Sequence, residues 1–312
     1  MRAVRIASMV AASVALAGVL SGCDGDTKTA AAGSPTPAAS STPSAVSSGS
    51  AAASASASPA DPAPAALLRQ ASDAADAAKS AKITQTITDG TGTHQVSGVL
   101  SWASGLQGSL QGKIPAATAA KIGSDGTEEI RYLPNALYIN MHAGDQFVKA
   151  MGGAHWIEQD YADLDQTPGS DSAQLSATMK IGDPVSVVRL LAASGTAKQV
   201  GPDTVDGVQA THFSGDVTSE TLAAGQGLSP ELLNQERQLW QSQGLTKDHI
   251  DVWVDGNNRI VKRHSSLTTK TGPKEMEFKY SDYGTPVQVT APPASDTINA
   301  KALKASSKPG PA

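Results

Sequence analysis

The side chains equipped for chemistry are few in these 312 residues: one cysteine, Cys23, and six histidines, His94, His142, His155, His212, His249 and His264. A lone cysteine can form neither an intrachain disulfide nor a thiolate metal site. The histidines are scattered singly, mostly in strand-like stretches, where alternation favours a solvated or half-buried ring over a ligand. His155-x-x-Glu158 is the one spacing that could bring two metal ligands together on a helix, yet Ala154 to Asp160 reads as strand or loop, so no metal site is expected. The Gly-rich run from Gly105 to Lys113 ends in Gly-Lys, but its glycine spacing is wrong for a phosphate loop, and Ile114 stands where Ser or Thr would be required. There is no G-x-S-x-G elbow and no H-E-x-x-H. No catalytic residue is assigned, and a non-enzymatic protein is expected.

Cys23 has a more specific setting. Arg2 and Arg5 precede an apolar run from Ile6 to Leu20, which is closed by Leu20-Ser21-Gly22-Cys23. A bilayer-crossing helix needs about 20 apolar residues, so this shorter run reads as an export signal. The four-residue ending resembles the lipobox of bacterial lipoproteins. That resemblance implies cleavage after residue 22, a covalent diacylglycerol or acyl lipid on Cys23, and anchorage on the extracytoplasmic face of the cell membrane. No other cofactor is expected.

Residues 24–64 read as a linker. From Thr29 to Ala60 the chain carries no charge, only Ala, Ser, Thr, Pro, Gly and one Val. Such a segment buries too little apolar surface to offset its ordering entropy. As a flexible coil its 41 residues would span about 35 Å root-mean-square. Without Arg2 and Arg5 the chain keeps 22 basic against 29 acidic residues, a net of −7. That balance argues against nucleic acid, which is bound by clustered basic charge.

The residues that could serve a binding site belong to residues 65–293, a size that suits one domain, with residues 294–312 expected as a flexible tail. Ala65 to Ser80 carries a helical stripe of small residues. From Lys82 the pattern turns to period two. Val96, Gly98, Leu100 and Trp102 alternate on one side, and Leu106, Gly108 and Leu110 continue the habit. Ile130–Leu133 and Ala136–Met141 are two further short strands. Asp183-Pro184 opens a helix rich in Val and Leu, with an acidic cap and Pro at its first position. Asp206-Gly207 and Asp255-Gly256-Asn257-Asn258 each sit between alternating runs and predict hairpins. Ser229-Pro230 caps a helix ending at Gly244. Its polar residues, Glu231, Asn234, Gln235, Glu236 and Arg237, suit a surface lid. Met276–Tyr280 and Val287–Thr290 predict a last strand pair. The order predicts an α+β fold, an antiparallel curved sheet with a few helices on one face.

Three blocks carry a family resemblance: Thr204 to Val217, Asp251 to Arg263, and Met276 to Val289 followed by Ala291-Pro292-Pro293. In order and spacing they resemble the mycobacterial LppX/LprG group of lipoproteins, which share a fold with the periplasmic carrier LolA. The clear match runs from Thr204 to Pro293, and Trp156 to Ser176 has no counterpart in it. The resemblance implies a half-barrel, a single antiparallel sheet curled around helices, with an apolar cavity that holds acyl chains of a lipid or glycolipid. Burial of hydrocarbon at about 0.8 kcal/mol per CH₂ would supply the affinity. Candidate lining residues are Val96, Leu100, Trp102, Leu106 and Leu110 from the sheet, with Val187, Val188, Leu191, Leu232, Leu239 and Trp240 from the helices. Any of them could equally be ordinary core. Two other readings of the same fold remain: an envelope sensor or regulator that binds a protein partner, and an accessory lipoprotein without cargo.

Overall fold

The computed structural model describes residues 63–163, 186–224 and 228–306. Cys23, the linker up to Pro62, the Asp183-Pro184 cap and residues 164–176 of the segment without counterpart lie outside the described residues.

Helix α1 spans Pro64–Ala78, with Pro in its first turn, where an amide hydrogen would find no intrahelical partner anyway. Its small buried residues Ala71, Ser72 and Ala75 let neighbouring backbones come close. Lys79 ends it in the left-handed region, and Ser80 opens the sheet at once. Four meandering strands follow: β1 (Ser80–Asp89), β2 (Gly92–Ser101), β3 (Gln107–Lys113) and, after the short helix α2 (Ala116–Ile122), β4 (Thr127–Tyr132). Strand β5 (Ala136–Asn140), helix α3 (Asp145–Ala150) and β6 (Trp156–Asp160) complete this half. The second half holds α4 (Ser186–Ser194), β7 (Lys198–Val205), β8 (Val208–Thr218), α5 (Ser219–Ala224), α6 (Pro230–Gln243), β9 (Lys247–Asp255), β10 (Ile260–Thr269) and β11 (Gly272–Ser281). A short strand β12 (Thr297–Asn299) and helix α7 (Ala300–Ser306) end it.

The twelve strands of the described residues form one open, curved sheet in the order β12-β6-β5-β4-β3-β2-β1-β11-β10-β9-β8-β7. Every pairing is antiparallel except β12 with β6. The α+β curved sheet expected from the sequence is therefore present, with one parallel pair added at its edge. Both predicted hairpin turns are in place. Asp206 and Gly207 have φ of 48° and 84°, the left-handed pair a two-residue turn requires.

Two expectations are corrected. Val287–Thr290 forms no strand: β11, its expected neighbour, is already paired on both sides by β1 and β10. The domain does not end at Pro293, because residues 294–306 are ordered structure and not a flexible tail. There β12 pairs with β6, while Ala300 and Leu303 of α7 are buried. The strand-or-loop reading of Ala154 to Asp160 resolves to a strand, since the described part of the 156–176 segment begins with β6, flanked by β5 and β12.

Strands β2 and β3 approach each other closely through glycine. Gly98 and Gly112 sit so close to the facing strand that a Cβ on either would overlap the carbonyl oxygen of Ser109 or Gln95. Only glycine allows that approach.

Candidate functional site

The helices cover one face of the sheet. Helix α1 packs on α4 and reaches β1 and β10, while α4 rests on β8 and β9. Gly215 of β8 admits α4 closely, since a Cβ there would meet Leu191 Cδ1 at 2.8 Å. Arg189 of α4 pairs with Asp76 of α1, and Arg69 donates to the Ala192 carbonyl at 3.4 Å. The indole Nε1–H of Trp102 donates to the Ala75 carbonyl at 3.2 Å, tying the end of β2 to α1.

Register identifies the side chains on this inner face. Along β1, Ile83 and Ile87 point inward and lie opposite Tyr280 and Met276 of β11. Across β2, β3 and β4 the inward row runs through Val96, Leu100, Leu110 and Ile130. On the other side it continues through Ile250 and Val252 of β9 and Phe213 of β8.

The sequence-derived candidates fall largely within one apolar cluster. Val96, Leu100, Leu110, Val188, Leu191 and Trp240 are buried in it, and Trp102, Leu106 and Val187 pack against it half-buried. Leu239 is half-buried on α6, and Leu232 belongs to the same helix. Leu191 and Val188 have no exposed surface, so they fill the seam between α1, α4 and the sheet.

Other side chains, not singled out from sequence, occupy the middle of this face. Met276 and Phe278 of β11, one strand from the midpoint of the twelve-strand order, point inward beside buried Ser265 and Arg263, yet both are only half-buried. Apolar side chains at the centre of a sheet keep that much exposure only where the covering layer does not close over them.

Next to them is a buried polar group. Arg263 is buried with its guanidinium carbon 3.8 Å from the Phe278 ring centroid, and its Nε donates to Tyr280 Oη at 3.0 Å. Glu236 of α6 and Asp248 of β9 are buried beside it. Ser265 Oγ donates to Asp248 Oδ2 at 3.3 Å. Loss of solvation pushes both acids up to about 7, against the opposing pull of Arg263. Glu236 is thus no solvated lid residue, as the polar face of α6 suggested, but an inward one. The signal that could have found it is its spacing from Trp240, four residues on, whose side chain hydrogen-bonds it.

The His155 and Glu158 side chains are not brought together. His155 Nδ1 lies 2.6 Å from Asp296 Oδ1, and Glu158 accepts from Tyr138 Oη at 2.7 Å. No helix of the described residues is long and apolar enough to cross a membrane.

One open, curved sheet with helices laid over its apolar face has the form of a half-barrel. No family model matches the sequence. A Streptomyces griseus protein of 31.2 kDa, from the rplA–rplJ intergenic region and uncharacterised, is 35% identical over 246 residues, covering 77% of this chain and 80% of its own. A Streptomyces coelicolor protein named as a lipoprotein is 33% identical over 244 residues, covering 77% and 76%. The chain belongs to this Streptomyces lipoprotein family. Among solved structures it is similar to LprF from Mycobacterium bovis (TM-score 0.44, 14% identity, 73% of this chain and 96% of the other). It is also similar to the lipoprotein LppX of Mycobacterium tuberculosis (TM-score 0.45, 14% identity, 74% and 100%).

Proposed function

We propose that this lipoprotein binds the hydrocarbon part of a lipid or glycolipid against the concave face of its sheet, as a carrier or chaperone in the cell envelope, held to the membrane by a lipid on Cys23. The observation that carries the reading is the half-buried state of Met276 and Phe278 at the centre of the inner face. Hydrocarbon laid on them removes apolar surface from water at about 25 cal/mol per Å², and no chemical step is needed. A tether of uncharged small residues between anchor and domain would let the domain leave the bilayer surface while staying near it.

Titration of the full chain with a fluorescent long-chain fatty acid tests this. Saturable binding is expected, and Met276→Trp, which fills the centre of the face, should weaken it at least tenfold without lowering stability. Binding that is absent, or indifferent to Met276→Trp and to Phe278→Trp alike, contradicts the proposal.

A further inference from the structure

One row of the inner face leads from apolar side chains to polar ones. Across β10, β11, β1 and β2 the register sets Arg263, Phe278, Gln85 and Val96 side by side. Phe278 and Gln85 are half-buried, while Arg263 at the end of the row is buried. Asp248 of β9, opposite buried Leu267, faces the same way, and Glu236 of α6 comes near enough to feel the charge of Arg263.

Each of these three groups is fixed through one part of its side chain and left open at another. Arg263 Nε donates to Tyr280 Oη at 3.0 Å, Asp248 Oδ2 accepts from Ser265 Oγ at 3.3 Å, and the Trp240 side chain hydrogen-bonds Glu236. Arg263 Nη1, Asp248 Oδ1 and Glu236 Oε1 have no hydrogen-bond partner. The three residues are only 5%, 8% and 2% exposed, so water does not reach these atoms from the surface. Buried polar atoms are paired in the great majority of cases, and half of the six exceptions among the described residues fall in this one cluster. The three atoms do not satisfy one another, although a cation and two acids stand together.

We infer that Arg263, Glu236 and Asp248 form the polar end of the lipid site and take an uncharged vicinal diol, such as a glycerol ester or a sugar presents. The inference rests on the lipid reading and narrows it to one chemical class of ligand. A guanidinium N–H only donates, and an ionised carboxylate only accepts. Two adjacent hydroxyls supply the complement: one accepts from Arg263 Nη1 and donates to one acid, and the second donates to the other acid. A carboxylate or phosphate head can use Arg263 alone and sets its charge against two acids. An ammonium head can use the acids but leaves Arg263 Nη1 unpaired and is repelled by it. The guanidinium carbon lies 3.8 Å from the Phe278 ring centroid, so an acyl chain leaving the diol runs directly onto Phe278 and Met276.

Displacement of a fluorescent long-chain fatty acid from the full chain tests this at pH 8, above the value of about 7 to which burial raises both acids. The competitors share a lauryl-length chain: methyl laurate, lauric acid, 1-monolauroylglycerol and dodecyl glucoside, each below its micellar concentration. Monolauroylglycerol, the glucoside or both should bind at least about tenfold more tightly than methyl laurate, and lauric acid no more tightly than the ester. The tighter of the two diols tells a glycerol head from a sugar. In Glu236→Met the diol advantage should fall below about threefold, while displacement by methyl laurate reports that the site is still folded. Glu236→Gln removes one charge and should tighten lauric acid relative to the ester. Equal binding of the ester and both diols, tightest binding by lauric acid, or a diol advantage that survives both Glu236→Met and Asp248→Leu overturns the inference and leaves the lipid reading standing. A protein that binds no fluorescent fatty acid defeats the lipid reading itself, and this inference with it.

Discussion

Arg263 lies face-on to Phe278 across the β10–β11 pair, with its guanidinium carbon 3.8 Å from the ring centroid. This contact sets a buried cation beside the apolar centre of the concave face. Glu236 and Asp248 lie near enough to feel its charge. One Nη atom of Arg263 and one oxygen of each acid have no hydrogen-bond partner.

Removing the cation should cost more than the pair of acids alone would suggest. Arg263→Leu leaves two buried carboxyl groups without a counter-charge, a change worth about 3–5 kcal/mol. Equilibrium denaturation at pH 7 checks this. A loss below about 1 kcal/mol would show that the acids rely on other partners.

The two acids also set a pH dependence. Their folded values, about 7, exceed the ordinary values of 4.5 for Glu236 and 3.8 for Asp248. Between those limits the folded state holds protons that the unfolded chain has released, so the acids' contribution to stability falls as pH rises from about 4 to about 7 and is flat above. Denaturation midpoints measured from pH 5 to pH 8 should decline more steeply for the unaltered protein than for Glu236→Gln.

The close approach of β2 and β3 depends on absent side chains. Gly98→Ala and Gly112→Ala each force a Cβ into the facing backbone. Each should lower the melting temperature far more than Gly90→Ala, at a turn position with open space around it and no positive φ. Equal effects would mean that the close approach of the strands is not required.

Trp102 offers a milder probe. Trp102→Phe keeps most of the apolar contact but removes the donor to the Ala75 carbonyl, at a cost of about 1 kcal/mol. Chemical denaturation would register it, and an unchanged midpoint would place the bond outside the stability of the α1 docking.

The strands with local turn chemistry were legible in the sequence. Asp206-Gly207 and Asp255-Gly256 carry their own hairpin signals, and the alternation around Val96 and Leu110 marks the inward row. Strand β12 was not legible, because three residues pairing in parallel with β6, about 140 positions earlier, leave no local pattern. The centre of the concave face was missed for a related reason. Phe278 alternates with Lys279 as any half-buried strand residue does, and only the strand order puts it mid-sheet. The buried place of Glu236 was hidden by polar neighbours that made its helix face read as solvated. The histidines looked isolated because only the register of β8, β9 and β10 gathers His212, His249 and His264 around Asp251.

The proposed lipid-binding role is tested most directly by quantifying lipid in organic extracts of the full-length protein purified from its own envelope. About one acyl-chain lipid per protein is expected beyond the covalent anchor, and Met276→Trp should lose it while folding normally. A protein that is repeatedly free of extractable lipid, with Met276→Trp indistinguishable from it, would contradict the account.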